Sequence, residues 1–179
     1  MNPAPLRTPV ARTLLGLCLG AGCAPVFAVT THTPTLSRDE QAFVAKATAD
    51  DSMQIAVAQA AWERSSSPQV RALARRIIDD HNALNAKFTK VSVARKAHGS
   101  AHGVSNRQVT EDTLHLRKLQ GPALDQAFAR MMVEEHRRII PLYERAADDP
   151  GNRQLQQIAR DALPLLRQHL QGAQALLDR

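Results

Sequence analysis

Between residues 37 and 177 the chain carries four long apolar stripes at helical spacing. The first runs through Phe43, Val44, Ala47, Ile55, Ala58 and Trp62, and apolar residues three or four apart share one face of a helix. Ser37-Arg38-Asp39-Glu40 sets its start as a capping box: the Ser hydroxyl caps the first turn and Glu40 reaches back. Ser65-Ser66-Ser67-Pro68 ends that helix and opens a second. Ser67 is the expected N-cap and Pro68 the first helical residue, where a missing N–H is harmless. The second stripe, Val70, Ala74, Ile77, His81, Leu84, Phe88 and Val91, alternates steps of four and three and fades near Lys96.

A third stripe holds Leu124, Phe128, Met132, His136, Ile139 and Tyr143 and runs to about Ala147. Asp149-Pro150-Gly151-Asn152 is a turn with Asn152 as the next cap. A fourth stripe follows at Leu155, Ile158, Ala162, Leu166, His169, Ala173 and Leu176. Pro141 and Pro164 fall inside these last two helices, where each deletes a backbone hydrogen bond and is expected to bend or loosen a turn.

The link between the second and third helices is long. His98-Gly99-Ser100-Ala101-His102-Gly103 reads as a loop, Thr110 to Leu119 as a short amphipathic helix, and Gly121-Pro122 as a break. About 25 residues join the two stripes, where bundle neighbours need about 2–8. The excess suits a connection running the length of the bundle, which is the ferritin-like topology. The two halves also repeat at an offset of 85: Gln41-Ala42-Phe43 returns as Gln126-Ala127-Phe128, Asp50 as Glu135, Ile55 as Ile140, and Leu73-Ala74-Arg75 as Ile158-Ala159-Arg160. The fold expected is therefore all-α: a ferritin-like four-helix bundle of two duplicated hairpins, over residues 37–177, with one long crossover containing a short helix.

Length and composition agree with one such domain. The chain has 179 residues, 44% of them hydrophobic and only 3% aromatic. So few aromatics disfavour β-rich folds and the stacking platforms that bind single-stranded nucleic acid. The N-terminus adds a compartment. Arg7 and Arg12 precede an apolar run from Thr13 to Pro25, and Val26-Phe27-Ala28 offers small residues ahead of a cut. This pattern is that of a signal peptide cleaved after Ala28, leaving a short disordered segment, 29–36, ahead of the domain in a periplasmic or secreted protein. Lipidation at Cys23 is the competing reading, but Leu19 stands one place too early for it. Cleavage removes both cysteines, Cys18 and Cys23, and two basic residues, lowering the net charge from +6 to +4. No other segment is apolar enough to span a membrane. In that setting the positive charge points to anionic envelope surfaces or solubility rather than nucleic acid.

Three elements carry a family resemblance: Asp80-His81, Glu135-His136, and Leu163-Pro164-Leu165-Leu166-Arg167-Gln168-His169-Leu170. With them the chain resembles an exported bacterial family known as the domain of unknown function 4142, over nearly everything from Ser37 to Leu177. The resemblance implies a ferritin-like helical fold outside the cytoplasm and no established activity. Two departures stand out. The family usually has Glu where this chain has Gln54, which removes a candidate ligand, and Pro141 is outside the family pattern.

Each stripe also carries one polar residue: Asp51, His81, His136 and His169. The repeat makes Asp51 and His136 equivalent. Reflection about the two turns sets Asp51 level with residue 82, close to His81, and His136 about 3 Å from the level of His169 at the helical rise of about 1.5 Å per residue. All four can meet mid-bundle, with Asp80 and Glu135 as supporting acids. Three imidazoles and a carboxylate suit one Zn, Cu or Fe ion. A di-iron ferritin site needs Glu-x-x-His, yet Ile78, Val133 and Leu166 stand three residues before the histidines, so ferroxidase chemistry is disfavoured. The plainer alternative is a buried polar network, in which His81 and His136 bond to carboxylates and His169 to a carbonyl freed by Pro164.

Other features say less. Arg75/Asp79 and Arg76/Asp80 are spaced as surface pairs, and His98 and His102 form at most a weak loop site. Met131-Met132 beside His136 hints at haem, but no Cys-x-x-Cys-His accompanies it. No phosphate loop appears, and no hydroxyl nucleophile stands beside a base. The functional expectation is an exported protein that binds, packs or supports the envelope under stress rather than catalyses. The alternative is a metal-dependent oxidoreductase built on the central histidines.

Overall fold

The computed structural model describes residues 35–94 and 106–179. Five helices occupy them: α1 (Arg38–Arg64), α2 (Pro68–Ala94), α3 (Asn106–Lys118), α4 (Gly121–Asp148) and α5 (Arg153–Leu177). No strand occurs among the described residues. The expected signal peptide, Cys18, Cys23 and the loop histidines His98 and His102 lie outside them.

Local sequence signals account for most of the boundaries. Ser37 and Glu40 form the capping box, with Glu40 N–H donating to Ser37 Oγ at 3.2 Å and Ser37 N–H to Glu40 Oε2 at 2.8 Å. Asn152 Oδ1 accepts from the backbone N–H of Gln154 and Leu155 at 2.9 and 3.2 Å. Ser67 Oγ takes the Val70 N–H at 3.4 Å. α4 opens at Gly121, whose φ of +53° lies in the left-handed region that glycine enters without strain. The short connecting helix is longer than expected, Asn106–Lys118 rather than Thr110 to Leu119.

α1 packs on α2 and α4 on α5, and the hairpins meet through α1 with α4 and α2 with α5. Antiparallel order between α1 and α4 is fixed at both ends: the Phe43 and Tyr143 rings lie 5.4 Å apart, and Ser65 Oγ donates to Asp125 Oδ1 at 2.5 Å. α4 therefore begins at the end of the bundle opposite to where α2 stops, so the link must cover the bundle's length. α3 lies in that link against α1, with Leu116 fully buried and the Leu119 carbonyl accepting from Arg64 at 3.3 Å. The hairpin boundaries follow the 85-residue offset, since α2 and α5 begin at 68 and 153.

Two details depart from the sequence reading. Leu36, placed in the disordered N-terminal segment, is buried in the core, and its carbonyl accepts from the Gln41 side chain at 2.8 Å. Pro141 and Pro164 do not interrupt their helices. Both prolines, and Arg137 and Arg160 whose carbonyls they leave without a helical donor, are on the exposed face, where water can take the carbonyls.

The core is in two apolar parts. One gathers Phe43, Leu84, Phe88, Ile139, Tyr143 and Leu166; the other Met53, Ile77, Leu116, Phe128, Met132 and Ala173. Between them, on the same inward stripes, lies a layer of buried polar side chains: Asp50, Asp51, Gln54, His81, His136 and His169.

Candidate metal centre

The stripes of α2, α4 and α5 bring the three histidines together, each fully buried. Their ring centroids are 5.9 Å (His81–His136), 5.4 Å (His81–His169) and 5.2 Å (His136–His169) apart. One ring nitrogen from each can be chosen so that all three lie within 4.8 Å of one another.

A different acceptor holds the far side of each ring. His81 Nδ1–H donates to Asp51 Oδ1 at 2.7 Å, and His136 Nδ1–H to the Met132 carbonyl, one turn back, at 2.8 Å. His169 Nε2–H reaches Asp80 Oδ2 at 2.9 Å. That leaves His81 Nε2, His136 Nε2 and His169 Nδ1 for the centre. His81 Nε2 is buried with no partner among the described residues, while His136 Nε2 and His169 Nδ1 face each other at 3.2 Å. Histidines that ligate metals typically donate their other N–H to a carboxylate or carbonyl, which fixes ring and tautomer; all three do so here.

The facing pair has an electrostatic consequence. With one proton on His136 Nδ1 and one on His169 Nε2, two lone pairs point at each other across 3.2 Å. A cation at that gap would relieve the repulsion, as would a tautomer of His169 that donates Nδ1–H to His136 Nε2. A third proton is disfavoured. Burial, then the neighbouring His169 and His81, lower His136 to about 3. Burial and His81 lower His169 to about 4, against the pull of Asp80 and with Arg76 adding to the fall. Both rings are neutral near pH 7, the state in which imidazole binds metal. Two nitrogens on one tetrahedral ion, at bonds of about 2.0–2.1 Å, stand about 3.4 Å apart, close to the observed gap.

The remaining expected residues fall differently. Asp51 is brought to the cluster, but as the acceptor for His81, and its Oδ2 is buried without a partner. Burial raises its pKa, with the His81 bond opposing. His136 bonds the Met132 carbonyl instead of a carboxylate, and His169 bonds Asp80 instead of a carbonyl freed by Pro164. Asp80 is thereby not the partner of Arg76, whereas Arg75 and Asp79 do pair, at 3.1 Å. Glu135 turns from the cluster to bond Arg138. Met132 is packed in the apolar core.

The sequence named Asp50 only as the repeat partner of Glu135 and Gln54 only as a departure from the family, and placed neither in the buried layer. Asp50 is fully buried and takes Arg138 at 3.0 Å and Lys46 at 3.3 Å. Burial works against the Arg138 charge, but its bonds to Asp50 and Glu135 outweigh it and raise its pKa. Gln54 is fully buried with neither amide atom partnered, and the Tyr143 hydroxyl is likewise alone.

The sequence pattern of a protein family described as a domain of unknown function (DUF4142) matches residues 27–176. The chain belongs to the DUF4142 family. No curated protein and no solved structure matches it. Within this DUF4142 chain the three family-resembling elements converge: Asp80-His81, Glu135-His136 and the segment ending His169-Leu170 each deliver one histidine to the centre. Of the acids that precede a histidine, Asp80 serves the ring of another helix and Glu135 serves Arg138. No helix among the described residues is long and apolar enough to cross a membrane.

Proposed function

We propose that this DUF4142 protein binds one first-row transition-metal ion through His81, His136 and His169, and that binding, not catalysis, is its role. The observation that carries the reading is the convergence of three buried imidazoles whose outward nitrogens are all engaged, leaving three inward ones. Asp51, Asp80 and the Met132 carbonyl would orient the rings. Gln54 and Asp51 Oδ2, buried without partners, would take a water or a fourth ligand on the ion. A thiolate-free nitrogen set suits Zn, Cu or Fe. The bundle is read as ferritin-like in connectivity, without the paired Glu-x-x-His of a di-iron site. Catalysis is not favoured, because a cavity of about 300 Å³ at the N-terminal end of α1 is lined by Glu40, Phe43, Lys46, Arg145 and Leu155 and by none of the histidines. Export also belongs to the proposal: the family match begins at residue 27, beside the expected cut after Ala28.

The test is metal stoichiometry with linked stability. Protein loaded with zinc at a hundred times its Kd should gain about 2.7 kcal/mol, and a chelator should remove that gain. A His81→Ala, His136→Ala double variant should take up no ion, and its melting temperature should be indifferent to chelator. A wild type that retains no ion, with a melting temperature blind to both zinc and chelator, would leave the buried polar network as the correct reading.

A further inference from the structure

If the histidines hold an ion, the ion must reach them, and all three are sealed from solvent. Of the groups that hydrogen-bond their outward nitrogens, Asp51 is fully buried and the Met132 carbonyl lies inside the core. Asp80 alone joins a histidine to the surface: its Oδ2 sits 2.9 Å from His169 Nε2, and its side chain is 27% exposed. The layer has a second charged face, and it has the wrong sign. There the buried Asp50 carboxylate is covered by Lys46 and Arg138, whose side chains are 51% and 42% exposed, with Glu135 on Arg138. A cation approaching along α1 and α4 meets ammonium and guanidinium. One approaching between α2 and α5 meets the Asp80 carboxylate, with the Arg76 guanidinium one turn away.

We propose that Asp80 is the port through which a divalent cation reaches the histidine centre, with His169 as the ring that moves to admit it. The inference rests on the metal reading above. The Asp80 carboxylate captures the cation at the surface, which requires it to leave His169. The ring thus released can turn its Nδ1 outward, meet the ion and carry it to His81 and His136. Asp80 then recovers the His169 Nε2–H and fixes the ring on the loaded site. Charge at the port therefore sets the loading rate, while the three nitrogens set the affinity. Arg76, exposed one turn before Asp80 and close enough to depress His169, restrains loading from the same face.

Stopped-flow mixing of Co(II) with the metal-free full-length protein, followed by the visible bands of the bound ion, tests this. Asp80→Asn keeps an oxygen for the His169 N–H but removes the charge. It should load about tenfold more slowly, the lower end of electrostatic steering effects, and still reach one bound ion. Asp80→Glu should stay near the wild-type rate. Arg76→Glu, a surface change that leaves the core intact, should load several-fold faster and gives an answer even if Asp80→Asn fails to fold. Lys46→Gln, on the other face, should leave the rate unchanged. Loading of Asp80→Asn at the wild-type rate, no acceleration in Arg76→Glu, or a faster Lys46→Gln would each overturn the port. A wild type that takes up no Co(II) would instead overturn the metal reading itself.

Discussion

At the level of Phe43, Phe88 and Tyr143 the four-helix core is filled by rings meeting edge to face, with centroids 5.4–6.3 Å apart. Further along the same helices, Asp51, Gln54, His81, His136 and His169 occupy the cross-section, all fully buried. Both levels exclude water, but different physics holds them. The aromatic level gains from burial and shape, less the cost of the one unpartnered Tyr143 hydroxyl. The polar level gains only through bonds that satisfy it, and a buried polar atom left alone costs about 1–3 kcal/mol. Four such atoms sit in this layer, on Asp51, Gln54 and His81. Replacing buried polar groups by apolar residues of the same volume is often neutral or stabilising, so the proposed ion would give the polar layer a role that stability alone does not.

The largest loss of stability is expected from the apolar part. Phe128 is fully buried in the cluster below the histidines, and Phe128→Ala should lower unfolding free energy by about 3–5 kcal/mol. Denaturant midpoints measured with and without zinc should fall by the same amount, because Phe128 makes none of the hydrogen bonds that hold the histidines. A loss that vanishes on adding zinc would mean that the two levels are not separable.

Acid sharpens the contrast next. His136 and His169 are held to about 3 and about 4 in the folded protein, against about 6.5 in the unfolded chain. Between those values the unfolded state binds more protons, so their contribution is fully present above about pH 6.5 and is lost as pH falls toward 4. Each ring gives up about 1.4 kcal/mol per pH unit in that window. Asp51, raised by burial, works in the other direction, because it takes a proton in the folded state first. The net expectation for metal-free protein is a loss of about 2–4 kcal/mol between pH 7 and pH 5. The Phe128→Ala variant should lose the same further amount. Unfolding midpoints that stay flat from pH 7 to pH 5 would contradict the burial of neutral imidazoles.

These two levels were not equally legible in the sequence. Every position of the α2 stripe, from Val70 to Val91, is buried, because a strict alternation of four and three leaves one solution. The caps at Ser37 and Asn152 were readable from short-range chemistry. The histidines were readable too, since a polar residue on an unbroken apolar stripe has nowhere else to point. Their partners were not. Asp80 and Glu135 precede histidines in sequence, but successive helix residues project about 100° apart, so neighbours in sequence do not face each other. Asp80 therefore meets His169 of α5, and Glu135 meets Arg138. On α1 a search for apolar residues selected Ile55, which is only half-buried, and passed over the fully buried Gln54. Helix phase was right there to within one residue, and one residue decided which side chain entered the polar layer.

The smallest effect is expected one residue from the largest kinetic one. Asp79 pairs with Arg75 at 3.1 Å, and both side chains are about three-fifths exposed, 60% and 61%. Water and salt screen such a pair, and holding two long side chains in register opposes it. The order is also the weaker one, with the acid C-terminal to the base on the helix. Alanine is the better helix former at the site and offsets part of the loss. Asp79→Ala should therefore change unfolding free energy by less than about 0.5 kcal/mol and leave Co(II) loading at the wild-type rate. Asp79 and Asp80 carry the same charge on adjacent positions of α2. If neutralising Asp79 slowed loading as much as neutralising Asp80, the rate would be answering to the negative charge of the whole surface and not to the carboxylate that touches His169.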